Sequence, residues 1–74
     1  LDITVCFITT RLGWQEPTDI LIIPSTINGI KKSSLIRTSK IATLDLTLAK
    51  GLLGKLNVSE IKELNLKLKI LLDL

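Results

Sequence analysis

The side chains able to do chemistry in this sequence are mainly hydroxyl, guanidinium and ammonium groups beside two apolar runs. Thr9, Thr10 and Arg11 follow the first run, and Arg37, Ser39 and Lys40 lie inside the second. An arginine within a strand-like run needs a partner for its charge. Its planar fork matches a phosphate, and neighbouring hydroxyls can donate hydrogen bonds to non-bridging phosphate oxygens. The set is therefore suited to orienting a phosphodiester.

Other chemistries lack their usual residues. The sequence has no His and a single Cys, which excludes a Cys/His metal cluster and a Cys-His nucleophile. Its four glycines fit neither a phosphate-binding loop nor a dinucleotide fingerprint. We therefore expect no metal and no cofactor. RNA cleavage remains possible because RNA supplies its own nucleophile, the 2′-hydroxyl, but no proton carrier is identified, since arginine is a poor base.

Positive charge is concentrated in the middle of the chain. The net charge is +3, yet residues 29–55 hold six basic residues against one acidic residue, Asp45. Lys31 and Lys32 belong to this segment, directly after the Asn28-Gly29 turn signal. Such a segment can attract phosphate, or it can simply keep the protein in solution.

Apolar content is high for a chain of 74 residues. The mean hydropathy is +0.45, and a domain this small buries only about 60% of the surface of its unfolded chain. No apolar run approaches the roughly 18 residues of a membrane helix. We expect the excess apolar surface to lie in a protein interface, with no membrane partner.

The periodicity predicts strands followed by helices in a single domain, residues 1–74. Predicted strands cover residues 3–8, 19–23, 34–36 and 41–44, the last two separated by the polar residues 37–40. A short helix or helical turn is predicted at 46–53, with Asp45 as its cap. The last helix carries a capping box at Asn57 and Glu60 and an apolar face of Ile61, Leu64, Leu68 and Leu71. Without βαβ alternation, this order favours an α+β fold with mainly antiparallel strands.

Two further residues have competing interpretations. Cys6 lies between Val5 and Phe7 and fits a small buried hydrophobe. Trp14 lies in the predicted loop before the second strand, where it either covers the core or stacks on a base of single-stranded RNA.

The order of these motifs resembles the MazF/PemK toxins of type II toxin–antitoxin systems. The resemblance rests on ITT at residues 8–10, NGIKKSSLIRTSKIATLD at 28–45 and LLGKLNVSEIKELN at 52–65, before a leucine-rich terminal helix. It implies an SH3-like small β-barrel with a C-terminal helix, a homodimer and a cytoplasmic endoribonuclease. Such an enzyme cleaves single-stranded mRNA without metal by 2′-hydroxyl attack, and its partner is a cognate antitoxin.

The resemblance also implies roles for particular residues. Thr9 and Arg37 match catalytic positions. We expect RNA contacts from the surrounding polar residues: Thr10, Arg11, Lys31, Lys32, Ser39 and Lys40. Ser39 stands where some members have an acidic residue, and Ala42 where an arginine often precedes the Thr-Leu-Asp triplet.

Complete members of that family begin with further strands and a basic R-P loop, which have no counterpart here. The resemblance thus implies a partial barrel, truncated at its N-terminus. Two alternatives remain: a non-catalytic remnant that dimerises and binds RNA or an antitoxin, and an interaction module whose basic residues only face solvent.

Overall fold

A computed structural model describes residues 1–73, which form a small antiparallel sheet followed by a helix. The elements are β1 (Asp2–Thr9), β2 (Asp19–Ile22), β3 (Ser34–Asp45), a 3-10 turn (Leu46–Leu48) and α1 (Val58–Leu72). The strand order is β1-β3-β2, and both pairings are antiparallel. The predicted α+β class is confirmed. The SH3-like barrel is not confirmed, because the three strands of the described residues form an open sheet.

The third and fourth predicted strands are one continuous strand, β3. The polar residues 37–40 lie inside it, so the predicted break was wrong. Their effect is visible in the register, where Phe7 pairs with Arg37 but the preceding Cys6 pairs with Ile41. Thr38, Ser39 and Lys40 thus have no partner in β1 and form an irregularity of the bulge type. Thr38 is fully buried. The strand tolerates this buried hydroxyl because it donates a hydrogen bond to Thr18 O at 2.7 Å.

The core lies between the sheet and α1. Ile20, Ile22 and Ile36 are buried there, and Cys6, Ile30, Leu56 and Leu64 pack against them. Cys6 is therefore a core neighbour, as predicted, although it is half-buried. Beside this core an apolar groove of about 740 Å³ stays open between the sheet, the helix and residues 51–56. The groove shows that the sheet and the helix do not close around a filled interior.

Of the short helix or helical turn predicted at 46–53, the turn is confirmed and the helix is not. Only the 3-10 turn forms, capped by Asp45, whose Oδ1 accepts from Thr47 N at 2.9 Å. Residues 49–57 have no regular structure. They cross the turn before β3 instead, where Lys55 N donates to Ile27 O at 2.8 Å. At that crossing a Cβ on Gly54 would lie 2.5 Å from the carbonyl carbon of Asn28, so the crossing requires a residue without a side chain.

The capping box of α1 is confirmed. Glu60 N donates to Asn57 Oδ1 at 2.7 Å, and Asn57 N donates to Glu60 Oε1 at 2.8 Å. Of the predicted apolar face, Leu64 and Leu68 are half-buried, whereas Ile61 and Leu71 are exposed. The helix also exposes Val58, Leu66, Ile70 and Leu72. These exposed apolar side chains are interspersed with Lys62, Glu63, Asn65 and Lys69, so the outer side of the helix is mixed in character.

Within residues 1–73, no helix has the length and apolar character needed to cross a membrane.

Candidate functional site

Thr9 and Arg37 lie on the same face of the sheet, opposite the helix. Thr9 pairs with Leu35, and Phe7 pairs with Arg37. Because side chains alternate along a strand, these four residues share a face, and Thr9 and Arg37 are diagonal neighbours about 7–8 Å apart. The two residues expected to be catalytic are therefore brought together.

Two carboxylates surround the guanidinium of Arg37. Its Nη2 donates to Glu16 Oε1 at 2.9 Å and to Trp14 O at 3.2 Å, and it lies 3.4 Å from Asp19 Oδ2. The Asp19 side chain is fully buried, whereas that of Glu16 is 46% exposed. A buried carboxylate needs a cation beside it. Arg37 thus neutralises Asp19, which answers why a strand contains this arginine.

Glu16 was not singled out in the sequence, yet it is central to this face. Its Oε2 accepts from Ser39 Oγ at 3.3 Å, and its backbone N donates to Asp19 Oδ2 at 2.8 Å. The backbone N of Asp19 donates in return to Glu16 O at 3.0 Å. The signal in the sequence was the EPTD stretch at residues 16–19, in which an acidic side chain closes a turn at proline.

The Arg37 cluster consists of Arg37, Glu16 and Asp19, and its charge and hydrogen bonds determine how Arg37 can meet a ligand. Arg37, Glu16 and Asp19 together carry −1 when all are ionised. Both hydrogens of Arg37 Nη2 are directed at Glu16 and Trp14 O, so a phosphate can use that nitrogen only after one of them moves. Arg37 Nε is buried without a hydrogen-bond partner among residues 1–73.

The end of β1 carries the remaining hydroxyls. Thr9 Oγ1 accepts from Arg11 N at 3.1 Å, which leaves the hydroxyl proton of Thr9 free to be donated. Thr10 and Arg11 are exposed.

The two lysines after the turn line a depression with Thr10 and are not part of the Arg37 cluster. Lys31 and Lys32 are exposed and line a shallow depression of about 450 Å³ together with Thr10. Ser39 and Lys40 are exposed in the irregular part of β3. The expected RNA-binding residues therefore form two groups, one around Arg37 and one around Lys31. Thr9 belongs with the first group, and Thr10, the next residue, belongs with the second.

Asp45 lies away from this site. It pairs with Asp2, at the opposite end of β1 from Thr9. Hydrogen bonds from the backbone and side chain of Thr47 lower the pKa of Asp45 below its ordinary value. This favours the ionised form that caps the 3-10 turn. Across residues 1–73, no group of three or more His, Cys, Asp or Glu side chains is placed to hold a metal ion.

Comparison with known proteins gives a family and a fold. A family model, described as PemK-like, MazF-like toxin of type II toxin-antitoxin system, matches residues 2–72. The solved structure of Mycobacterium tuberculosis toxin MazF-mt6 is similar, with a TM-score of 0.84 and 22% sequence identity. The similarity covers 99% of this chain and 71% of that one. No curated protein matches the sequence.

Proposed function

This chain belongs to the PemK-like, MazF-like toxins of type II toxin–antitoxin systems, and we propose that it is an endoribonuclease acting on single-stranded mRNA. In the reaction proposed, the RNA 2′-hydroxyl oxygen attacks the adjacent phosphorus and the P–O5′ bond breaks, without a metal ion. The products are a 2′,3′-cyclic phosphate and a 5′-hydroxyl, whose oxygen takes up a proton as the 2′-hydroxyl loses one. The observation that carries the proposal is the family match over residues 2–72. The shared face of Thr9 and Arg37 supports it, because it places a hydroxyl donor beside a guanidinium.

In this proposal the scissile phosphate lies at the end of β1. The Thr9 hydroxyl donates a hydrogen bond to a non-bridging oxygen of this phosphate. Arg37 stabilises the charge that develops on the phosphate once Glu16 has moved aside, while Asp19 keeps the guanidinium on this face. The surrounding polar residues contact the RNA backbone: Thr10, Arg11, Lys31, Lys32, Ser39 and Lys40. A threonine hydroxyl and an arginine guanidinium are both poor proton carriers, so Thr9 and Arg37 serve here as hydrogen-bond donors.

The proposed partners are a cognate antitoxin and a second copy of the chain, acting in the cytoplasm. The antitoxin would cover the same face as the RNA and so block it. Exposed apolar residues of α1 support the second copy, since Leu66 and Ile70 are 55% and 60% exposed.

A second candidate function is supported by the state of Arg37. Its Nη2 is already used by Glu16 and Trp14 O, and the cluster with Asp19 has a net negative charge. A chain with this arrangement that binds RNA or the antitoxin without cleaving RNA is the alternative proposal.

One experiment separates the two. The chain is incubated with single-stranded RNA in EDTA, and the products are followed on a denaturing gel. Cleavage that leaves 2′,3′-cyclic phosphate ends is the expected result. It should fall at least about 100-fold in Thr9→Ala, since removing one transition-state donor costs about 10²–10³ in kcat.

The controls test the site as well as the activity. Thr4→Ala changes an exposed threonine of the same strand and should cleave normally. Arg37→Lys keeps a positive charge beside Asp19, so it should fold but lose cleavage, because lysine lacks the fork. RNA that stays uncut but bound, with salt-dependent affinity, would leave only the alternative function. RNA that is neither cut nor bound would contradict the endoribonuclease and also the RNA-binding form of the alternative.

A further inference from the structure

Trp14 is unusually exposed for a tryptophan. Its residue surface is 84% accessible, although tryptophan is on average one of the more buried residue types. The interpretation of Trp14 as a cover for the core is therefore wrong. An exposed indole contributes nothing to the core, so its presence at this point needs another physical reason.

The loop that carries Trp14 is held firmly by the rest of the fold. Arg37 Nη2 donates to Trp14 O at 3.2 Å, Thr38 Oγ1 donates to Thr18 O at 2.7 Å, and Lys67 Nζ donates to Pro17 O at 2.9 Å. Together with the bonds between Glu16 and Asp19, these contacts attach the loop to β3 and α1. The indole thus stands on an ordered support, which lowers the entropy lost when a ligand binds it.

Trp14 also lies next to the proposed phosphate site. Its carbonyl contacts the same guanidinium that faces Thr9 across the sheet. Arg11, three residues before Trp14, and Lys40, three residues after Arg37, are exposed and cationic. An exposed aromatic ring beside basic groups is the arrangement that proteins use for single-stranded nucleic acid, because every base has a face that can stack.

We infer that Trp14 is a stacking platform for an unpaired RNA base next to the phosphate held at Thr9 and Arg37. The inference rests on the proposed function, since it takes RNA as the ligand. It adds a base-binding position to a site that otherwise contacts only the backbone. Because stacking tolerates any base, Trp14 contributes affinity and positions the strand more than it selects a sequence.

Trp14 is the only tryptophan in the chain, so its fluorescence reports on the indole alone. The test uses a 2′-O-methyl RNA oligonucleotide, which lacks the nucleophile and cannot be cut. Binding is measured twice, by anisotropy of a label on the RNA and by tryptophan emission. We expect quenching with the same midpoint as the anisotropy change. Trp14→Ala should weaken binding about 5- to 150-fold, the range for one stacked base.

The controls separate stacking from other effects. Trp14→Phe keeps an aromatic face and should retain most of the affinity, whereas Leu12→Ala, an exposed change in the same loop, should bind like the parent chain. An oligonucleotide of abasic nucleotides should bind weakly and without quenching.

The results that would overturn only this inference differ from the result that would also overturn the proposed function. If RNA binds by anisotropy while the emission and the Trp14→Ala affinity stay unchanged, the inference is overturned and the proposed function stands. Equal quenching by the abasic strand overturns stacking as the cause. Quenching by the purified antitoxin but not by RNA overturns it in favour of a protein contact. If the parent chain binds no RNA, the inference and the proposed function fall together.

Discussion

At the scale of single residues, the position of Glu16 decides how available Arg37 is. The Asp19 carboxylate is buried, so its pairing with Arg37 is a structural necessity, and removing either partner would leave an uncompensated charge. Glu16 is nearly half-exposed, and a pair of that kind contributes little to stability. Glu16 can therefore leave Arg37 at small cost, which Asp19 cannot.

Glu16→Gln should strengthen RNA binding. The change removes a negative charge beside the proposed phosphate, and an interaction of about 0.2–1 kcal/mol corresponds to roughly a 1.5- to 5-fold lower Kd. Anisotropy at two salt concentrations measures this, and the gain should shrink at the higher salt concentration. Glu63→Gln, on the exposed side of α1, is the matched control and should have no effect. Weaker binding in Glu16→Gln would show instead that Glu16 itself contacts the RNA.

At the scale of elements, Asn28 connects the turn before β3 to the start of α1. Its side chain is buried. Oδ1 accepts from Ser25 N at 3.0 Å and from Ile30 N at 3.1 Å. Nδ2 donates to Ile23 O at 2.8 Å and to Glu60 Oε2 at 3.3 Å. Since Glu60 also completes the capping box, one amide holds the turn in shape and ties it to the helix.

Asn28→Ala should reduce the free energy of unfolding by about 1–3 kcal/mol, because it removes the side chain that satisfies three backbone groups in part-buried hydrogen bonds. Urea unfolding at a fixed protein concentration measures the change, and the slope m should stay the same. Asn65→Ala, at an exposed position of α1, should change stability by less than about 0.5 kcal/mol. If the two variants were equally stable, the connection between turn and helix would have no energetic role.

At the scale of the whole molecule, the chain exposes more surface than a compact monomer. Its accessible surface is 5776 Å², whereas a folded monomer of 8.2 kDa should expose about 4,500 Å². The excess is roughly 1,200 Å² and includes the apolar groove and the outer side of α1. A typical stable interface covers about 800 Å² per partner, so the excess is sufficient for one.

Sedimentation at low micromolar concentration should therefore give a species of about twice the monomer mass. Leu66→Lys places a charge on the outer side of α1. It should shift the monomer–dimer equilibrium toward the monomer, because an unpaired charge in an apolar interface is costly. Lys50→Glu, at an exposed position outside both α1 and the groove, is the charge-changing control. A folded monomer in the parent chain would contradict the proposed dimer.

Features that depend on neighbouring residues were well predicted. The capping box at Asn57 and Glu60, the Asp45 cap and the first two strands each follow from residues within a few positions of one another. The family resemblance was confirmed for the same reason, since it reads the order of such local motifs along the chain.

Only the tertiary structure decided the contacts between distant segments. Arg37 meets Glu16 across 21 positions of sequence, Thr38 is satisfied by Thr18 from 20 positions away, and these bonds keep β3 continuous where its polar residues predicted a break. The turn at Leu46–Leu48 does not continue as a helix, and the chain that follows it crosses the turn before β3, where Lys55 N donates to Ile27 O. The sequence alone determined which groups are available for chemistry. Burial and pairing decided which of them are free, since both depend on how the strands and loops come together in space.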